Sequence, residues 1–283
     1  MSFAFSPRRS ARKSLRVIAT HRLRASLDIL DGPAPGAADQ IHELRKNIKK
    51  LRALLRLFRP AFDGFSRENA ALREAGQALS ALREGTVLLS TFDALGRPDP
   101  QLRARLAASV RNQPADTAAA LARHREILGG VLDRAPGWRC TAKGFDAIAP
   151  GLARSWTEAR RQMEGALDHP RGDVLHEWRK RVKDHGYHAR LLEPVWPAMM
   201  ECHIRATERL GDLLGEARDL ALLAETVEAL GGGAIIEDAR REEATRLAAA
   251  SDIARRLFSE PAPRLVHRWR SWWDLWRREP PPG

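Results

Sequence analysis

A charged helical motif occurs twice in this chain. His42-Glu43-Leu44-Arg45-Lys46-Asn47-Ile48-Lys49 returns as His176-Glu177-Trp178-Arg179-Lys180-Arg181-Val182-Lys183, 134 residues later (176 minus 42). Carried on to Pro60 and Pro194, the register keeps Arg56/Arg190, Leu57/Leu191 and Pro60/Pro194 identical as well. A second block, Gly76, Leu79, Arg83 and Glu84, corresponds to Gly211, Leu214, Arg218 and Asp219 at an offset of 135 (218 minus 83), so one inserted residue accounts for the slip. Such a duplication divides the chain into two like halves. What it preserves is mostly charge, which implies that the cations are what the fold exists to present.

The segments between breakers are rich in Ala, Leu, Arg and Glu and lack strand-like alternation, a pattern that reads as all-α. Pro and Gly clusters place helices at about 9–30, 38–59, 66–95, 100–134 (broken at Pro114), 143–168, 171–199, 201–230, 235–259 and 262–277. With two repeats, the simplest architecture is a pair of four-helix bundles related by a pseudo-twofold axis and joined near Pro136. The first repeat is expected over 8–135, the second over 141–260, and a Trp-rich helix with a tail over 261–283.

The first motif helix has two faces that can be counted. Ile41, Leu44, Ile48, Leu51, Leu55 and Phe58 step by three and four, the spacing of a buried seam. His42, Arg45, Lys49, Arg52, Arg56 and Arg59 follow the same steps one position on, so the cationic row lies beside the seam for about 21 Å. Like charges one turn apart destabilise a helix by a few tenths of a kcal/mol per pair. A repeated row of them makes sense if a polyanion neutralises it, and the formal charge of +12 agrees. The second copy has Gly186 where Arg52 stands and Glu193 where Arg59 stands, so the first half is expected to bind more strongly.

The duplicated His-Glu-x-Arg-Lys-x-x-Lys helix, followed by a Leu-rich helix ending in Ala217-Arg218-Asp219-Leu220, resembles the CHAD family from about residue 8 to 260. The resemblance implies two four-helix bundles around a basic central cavity that binds inorganic polyphosphate, with phosphate or sulfate as mimics. Carried over position by position, His42, Arg45, Lys46, Lys49, Arg52 and Arg56 would line that cavity with His176, Arg179, Lys180, Lys183 and Arg190. Arg83 and Arg218 fall at the Arg of the family's second motif, although the first copy reads Leu82-Arg83-Glu84 in place of Ala-Arg-Asp. Some relatives carry a fused catalytic domain marked by Glu-x-Glu-x-Lys, and that motif does not occur here.

Enzymatic signatures are missing. His42-Glu43 and His176-Glu177 are each followed by lysine where a zincin needs its second histidine, and Gly231-Gly232-Gly233 lacks the Lys-Ser/Thr of a phosphate loop. No catalytic residue, metal site or cofactor is therefore expected; His185 and His188, with His176 further along, sit among cations that oppose a divalent ion. A histidine in the row can offer one hydrogen bond when neutral and two when an adjoining anion draws a second proton onto it. Glu43 and Glu177 are placed to pair with Lys46 and with Lys180 or Arg181. Nucleic acid is the alternative polyanion, but Trp178 and Tyr187 are the only aromatics among the cations, where single-strand binders need stacking platforms. Two cysteines, Cys140 and Cys202, and no 18-residue apolar stretch imply a cytoplasmic protein, and the family resemblance implies association with polyphosphate granules. Trp269, Trp272, Trp273 and Trp276 form a stripe among arginines, either packed on the bundle or presented to a protein partner or membrane surface.

Overall fold

A computed structural model describes residues 3–32, 37–79, 84–97, 99–111, 117–168 and 172–279. The described residues contain no strand and form eleven α-helices: α1 Ala11–Asp31, α2 Ala37–Leu57, α3 Phe65–Ala78, α4 Glu84–Ala94, α5 Pro100–Arg111, α6 Thr117–Arg134, α7 Ala149–Asp168, α8 Gly172–Leu192, α9 Pro197–Glu228, α10 Gly233–Leu257 and α11 Ala262–Trp276. The all-α reading holds. The stretch read as one helix over 66–95 is two, α3 and α4. The helix read over 171–199 stops at Leu192, and α9 starts at Pro197 rather than near 201. Pro194 and Pro197 explain that junction, since a proline ends one helix readily and fits the first turn of the next. The expected break at Pro114 and the position of Arg83 lie outside the described residues.

Packing gathers the helices into two sets of four. α1, α2, α3 and α6 close one ring of neighbours, and α7, α8, α9 and α10 close another. The sets meet where α2 lies on α7 and α8. One position fixes how close they come: a Cβ added to Gly151 on α7 would sit 2.0 Å from the Leu57 carbonyl oxygen at the end of α2. Only glycine permits that backbone contact. The buried apolar cluster is continuous across the contact, running from Leu15, Leu54 and Phe58 to Trp156, Trp178 and Trp269. α4 and α5 pack on each other and on α9, outside both rings.

The seam of α2 is buried along its length: Ile41, Leu44, Ile48, Leu51, Leu55 and Phe58 all belong to the core. Its partner face on α8 is Leu175, Trp178, Val182, Ala189 and Leu192, with His185 also fully buried. Trp269, Trp273 and Trp276 are core residues too, so the tryptophan stripe of α11 is used to pack that helix onto α7.

Candidate anion-binding site

Because the cationic row runs beside the seam, its members emerge at the edge of the packed face, with Arg45, Arg52 and Arg56 half-covered. On α2 the row leans toward α3. Arg45 Nη1 donates to the Leu79 carbonyl at 3.1 Å, and Arg52 Nε donates to Asn69 Oδ1 at 3.2 Å. His42 and Lys49 are exposed at the same face. Arg56, at the far end, crosses to the second set and donates to Asp184 Oδ1 at 2.5 Å. Asp184 is buried and also takes Arg181 at 3.3 Å, so one carboxylate holds a cation from each half.

Burial holds Arg52 down to about 10, and Arg56 lowers it further; Asp184 opposes them, while Arg73 and Arg181 add to the depression. Arg52 thus feels three other guanidinium groups near the junction of α2, α3 and α8, of which Arg56 and Arg181 are held by Asp184.

On α8 the row leans toward α9, and glycines make room for it. A Cβ on Gly211 would lie 2.8 Å from Lys183 Cε, and one on Gly215 would lie 3.0 Å from Arg179 Nε. A Cβ on Gly76, the first-half counterpart of Gly211, would instead lie 3.3 Å from Ile48 Cγ2. The repeated glycine therefore serves close helix approach in both halves, with a cation in the gap only in the second. At Gly186, which replaces the first half's Arg52, an added Cβ would lie 3.2 Å from the Thr207 methyl, so the lost cation is exchanged for packing.

Around His176 the cations converge again. Burial pushes its imidazole down to about 4, and Lys180, Arg218 and Arg179 press in the same direction while Glu177 opposes them. Its Nδ1 is buried and makes no hydrogen bond within the protein. At neutral pH this is a half-buried neutral imidazole facing three cations from two helices, an arrangement that an added anion would relieve.

Not all of the row is open. Lys46 pairs with Glu43 at 3.0 Å and Lys180 with Glu177 at 2.6 Å, as the spacing predicts. In addition Lys183 meets Asp212 at 2.8 Å and Arg190 meets Glu208 at 2.5 Å, carboxylates of α9 that the row's own sequence does not contain. These pairs are exposed to between 30% and 60%, so they hold the side chains in place at little energetic depth.

Sequence reasoning missed Lys50 and Arg22, and gave Arg181 only as a partner of Glu177, a pairing found at 3.5 Å. Burial lowers Lys50, and Arg22, Lys46 and Arg190 lower it further against Glu43, so a third cationic convergence lies between α1, α2 and α8. The repeat hid it: the counterpart of Lys50 at the 134-residue offset is Asp184. Arg181 shares its motif with Asn47 and so did not score as repeated.

Two open cavities lie elsewhere. One of about 710 Å³ is bounded by α4, α9 and α10, where Arg97 and Arg241 pair with Asp238 and Arg246 with Glu216 and Glu242. The other, about 580 Å³, follows α1 from Arg16 to Asp28 beside Pro136. None of the described residues of the two rows lines either cavity. His185 and His188 are structural: His188 donates Nε2–H to the Ala53 carbonyl at 2.8 Å, and His185 is hydrogen-bonded to His203 at 2.7 Å. Among the described residues no group of three or more His, Cys, Asp or Glu is gathered as a metal site requires.

Comparison with known proteins brings two findings. The family model of the CHAD domain matches residues 11–228, more than half of the chain. A crystal structure of the CHAD domain from the plant Ricinus communis superposes with a TM-score of 0.52 at 16% identity, covering 93% of this chain and 90% of that one. At that identity the likeness is one of fold. A search of curated proteins gave no match.

Proposed function

The chain belongs to the CHAD family, and from that premise we propose that it binds inorganic polyphosphate, without turning it over, along the cationic rows of α2 and α8. The family is associated in general with polyphosphate binding and with non-catalytic binding domains. The observation that carries the reading for this chain is the convergence at His176, where Lys180, Arg179 and Arg218 surround a neutral imidazole that has no partner for Nδ1. Phosphate oxygens supply what that cluster lacks. Arg45, Arg52, Arg56 and Arg190 offer forked donors suited to phosphate, and Lys46, Lys49 and Lys183 offer compact charge. His42 adds a donor at the exposed start of α2, and Arg83 completes the set from the second motif.

A flexible chain with one charge per phosphate suits such rows better than a nucleic acid does. Trp178 is buried, and Tyr187 is partly buried, met edge to face by Phe3 and with its phenol pushed up to about 12 by burial, so neither stands out as a stacking platform. Binding is expected to weaken steeply as salt rises, through counterion release. Association with polyphosphate granules follows as the cellular consequence. The test is a fourfold substitution, Arg45→Ala, Lys49→Ala, Arg179→Ala and Lys183→Ala. Loss of polyphosphate binding with unchanged helicity supports the reading, and unchanged affinity in a folded variant places the site elsewhere.

A further inference from the structure

The stripe of tryptophans on α11 faces inward, yet the helix leaves an apolar patch on its outer side. Among the described residues three large hydrophobic side chains are exposed, Trp196 at 45%, Met199 at 47% and Leu275 at 59%. All three lie at, or one helical turn from, a single aromatic contact. The rings of Trp196 and Trp272 meet edge to face at 5.1 Å, Met199 is one turn beyond Trp196 on α9, and Leu275 is one turn beyond Trp272 on α11. Arg268 stacks over Trp272 at 5.0 Å while bonding to Glu260. Next to Leu275, Arg277 bonds to the carbonyls of Pro7 and Arg9, which ties the end of α11 to the arginine-bearing segment before α1. The α11 half of this patch lies beyond the residues that the family model matches.

We propose that this patch docks the protein on an anionic phospholipid surface, with Trp196, Met199, Trp272 and Leu275 entering the interface and the neighbouring arginines meeting the headgroups. An aromatic and aliphatic ridge rimmed by arginine is the chemistry of interfacial rather than transmembrane binding. No helix of the described residues is long and apolar enough to cross a membrane, so the contact is with the surface. Charge selects this occupant. Arg268 over Trp272 and Arg277 beside Leu275 give the apolar ridge a cationic rim, the complement of anionic headgroups. Polyphosphate would satisfy the arginines but offers no apolar phase for Trp196 and Leu275. The proposal is independent of the α2 and α8 rows.

The test is flotation of the full chain with vesicles of phosphatidylglycerol and phosphatidylcholine, and with phosphatidylcholine alone. Binding to the anionic vesicles only is expected, weakened at least about tenfold by Trp196→Ser with Leu275→Ser. Both side chains are exposed, so the variant should keep its helicity, which circular dichroism checks; if it does not, Arg277→Glu with Arg278→Glu carries the same expectation. No binding to anionic vesicles at low salt overturns the proposal. So does binding that survives these substitutions but disappears with the fourfold alanine change on α2 and α8, or self-association through the patch in sedimentation velocity.

Discussion

The two cationic helices are built from the same residues and are handled differently by their surroundings. On α2, Arg45 and Arg52 donate to neutral acceptors, a main-chain carbonyl and an asparagine. On α8, Lys183 and Arg190 are met by Asp212 and Glu208 of α9, and Gly186 has given up a cation for packing. Repetition of charge in sequence is therefore not repetition of field. On the first half Arg45 and Arg52 meet neutral acceptors, whereas the second gathers its cations around His176. The halves share one core, so neither is a separate unit in the energetic sense.

The largest effect is expected where the halves touch. Gly151→Ala would drive a methyl group into the Leu57 carbonyl, and a loss of about 3 kcal/mol in urea unfolding is predicted. A loss below about 0.5 kcal/mol would mean that the sets separate easily, and the comparison would then concern two independent bundles.

Splitting the fourfold substitution by helix comes next. Arg45→Ala with Lys49→Ala should weaken polyphosphate binding about a hundredfold, at roughly 1.5 kcal/mol or slightly less for each charged contact. Arg179→Ala with Lys183→Ala should weaken it about tenfold, because those cations already hold carboxylate or close α9 contacts. Equal losses in direct titration would break the asymmetry.

Acid should act more on the second half, where burial lowers His185, His188 and His203, than on the first, where it lowers the buried His124 and the more open His21. His185 and His188 stand where the first half has Leu51 and Leu54. Burial pushes His188 and His203 down to about 4 and lowers His185 from 6.5 as well. A folded-state value below the unfolded one means that the stability these residues contribute is present above about pH 6.5 and is lost as pH falls toward 4. Hydrogen exchange followed down that range should show α7, α8 and α9 opening before α1 and α3. Uniform opening would remove the distinction.

The smallest effect sharpens the comparison most. Glu208→Gln with Asp212→Asn should tighten polyphosphate binding about threefold, the scale of exposed ion pairs. Weaker binding in that variant would show that the carboxylates position Lys183 and Arg190 rather than compete for them.

Much of this was legible in the sequence, and the limits have physical causes. The seam of α2 could be read residue by residue because one periodic helix reports its own buried face. The Glu43–Lys46 and Glu177–Lys180 pairs were legible because they lie within one helical turn. Asp184, Asp212 and Glu208 were not, since a neutralising carboxylate brought in by another helix leaves no trace in the spacing of the row it neutralises. Gly211 could be seen to repeat, but only the packed helices show that Lys183 fills the space beside it. The tryptophan stripe of α11 had two readings; core packing is the one adopted, and it left the outer patch with Trp196, which belongs to α9's approach and shares no periodicity with α11.

The most direct measurement is titration of the purified chain with long-chain polyphosphate at physiological salt, with single-stranded nucleic acid of matched charge as competitor. Polyphosphate affinity retained under that competition is the predicted result. Equal displacement by the nucleic acid would contradict the account and leave α2 and α8 as a general cationic surface.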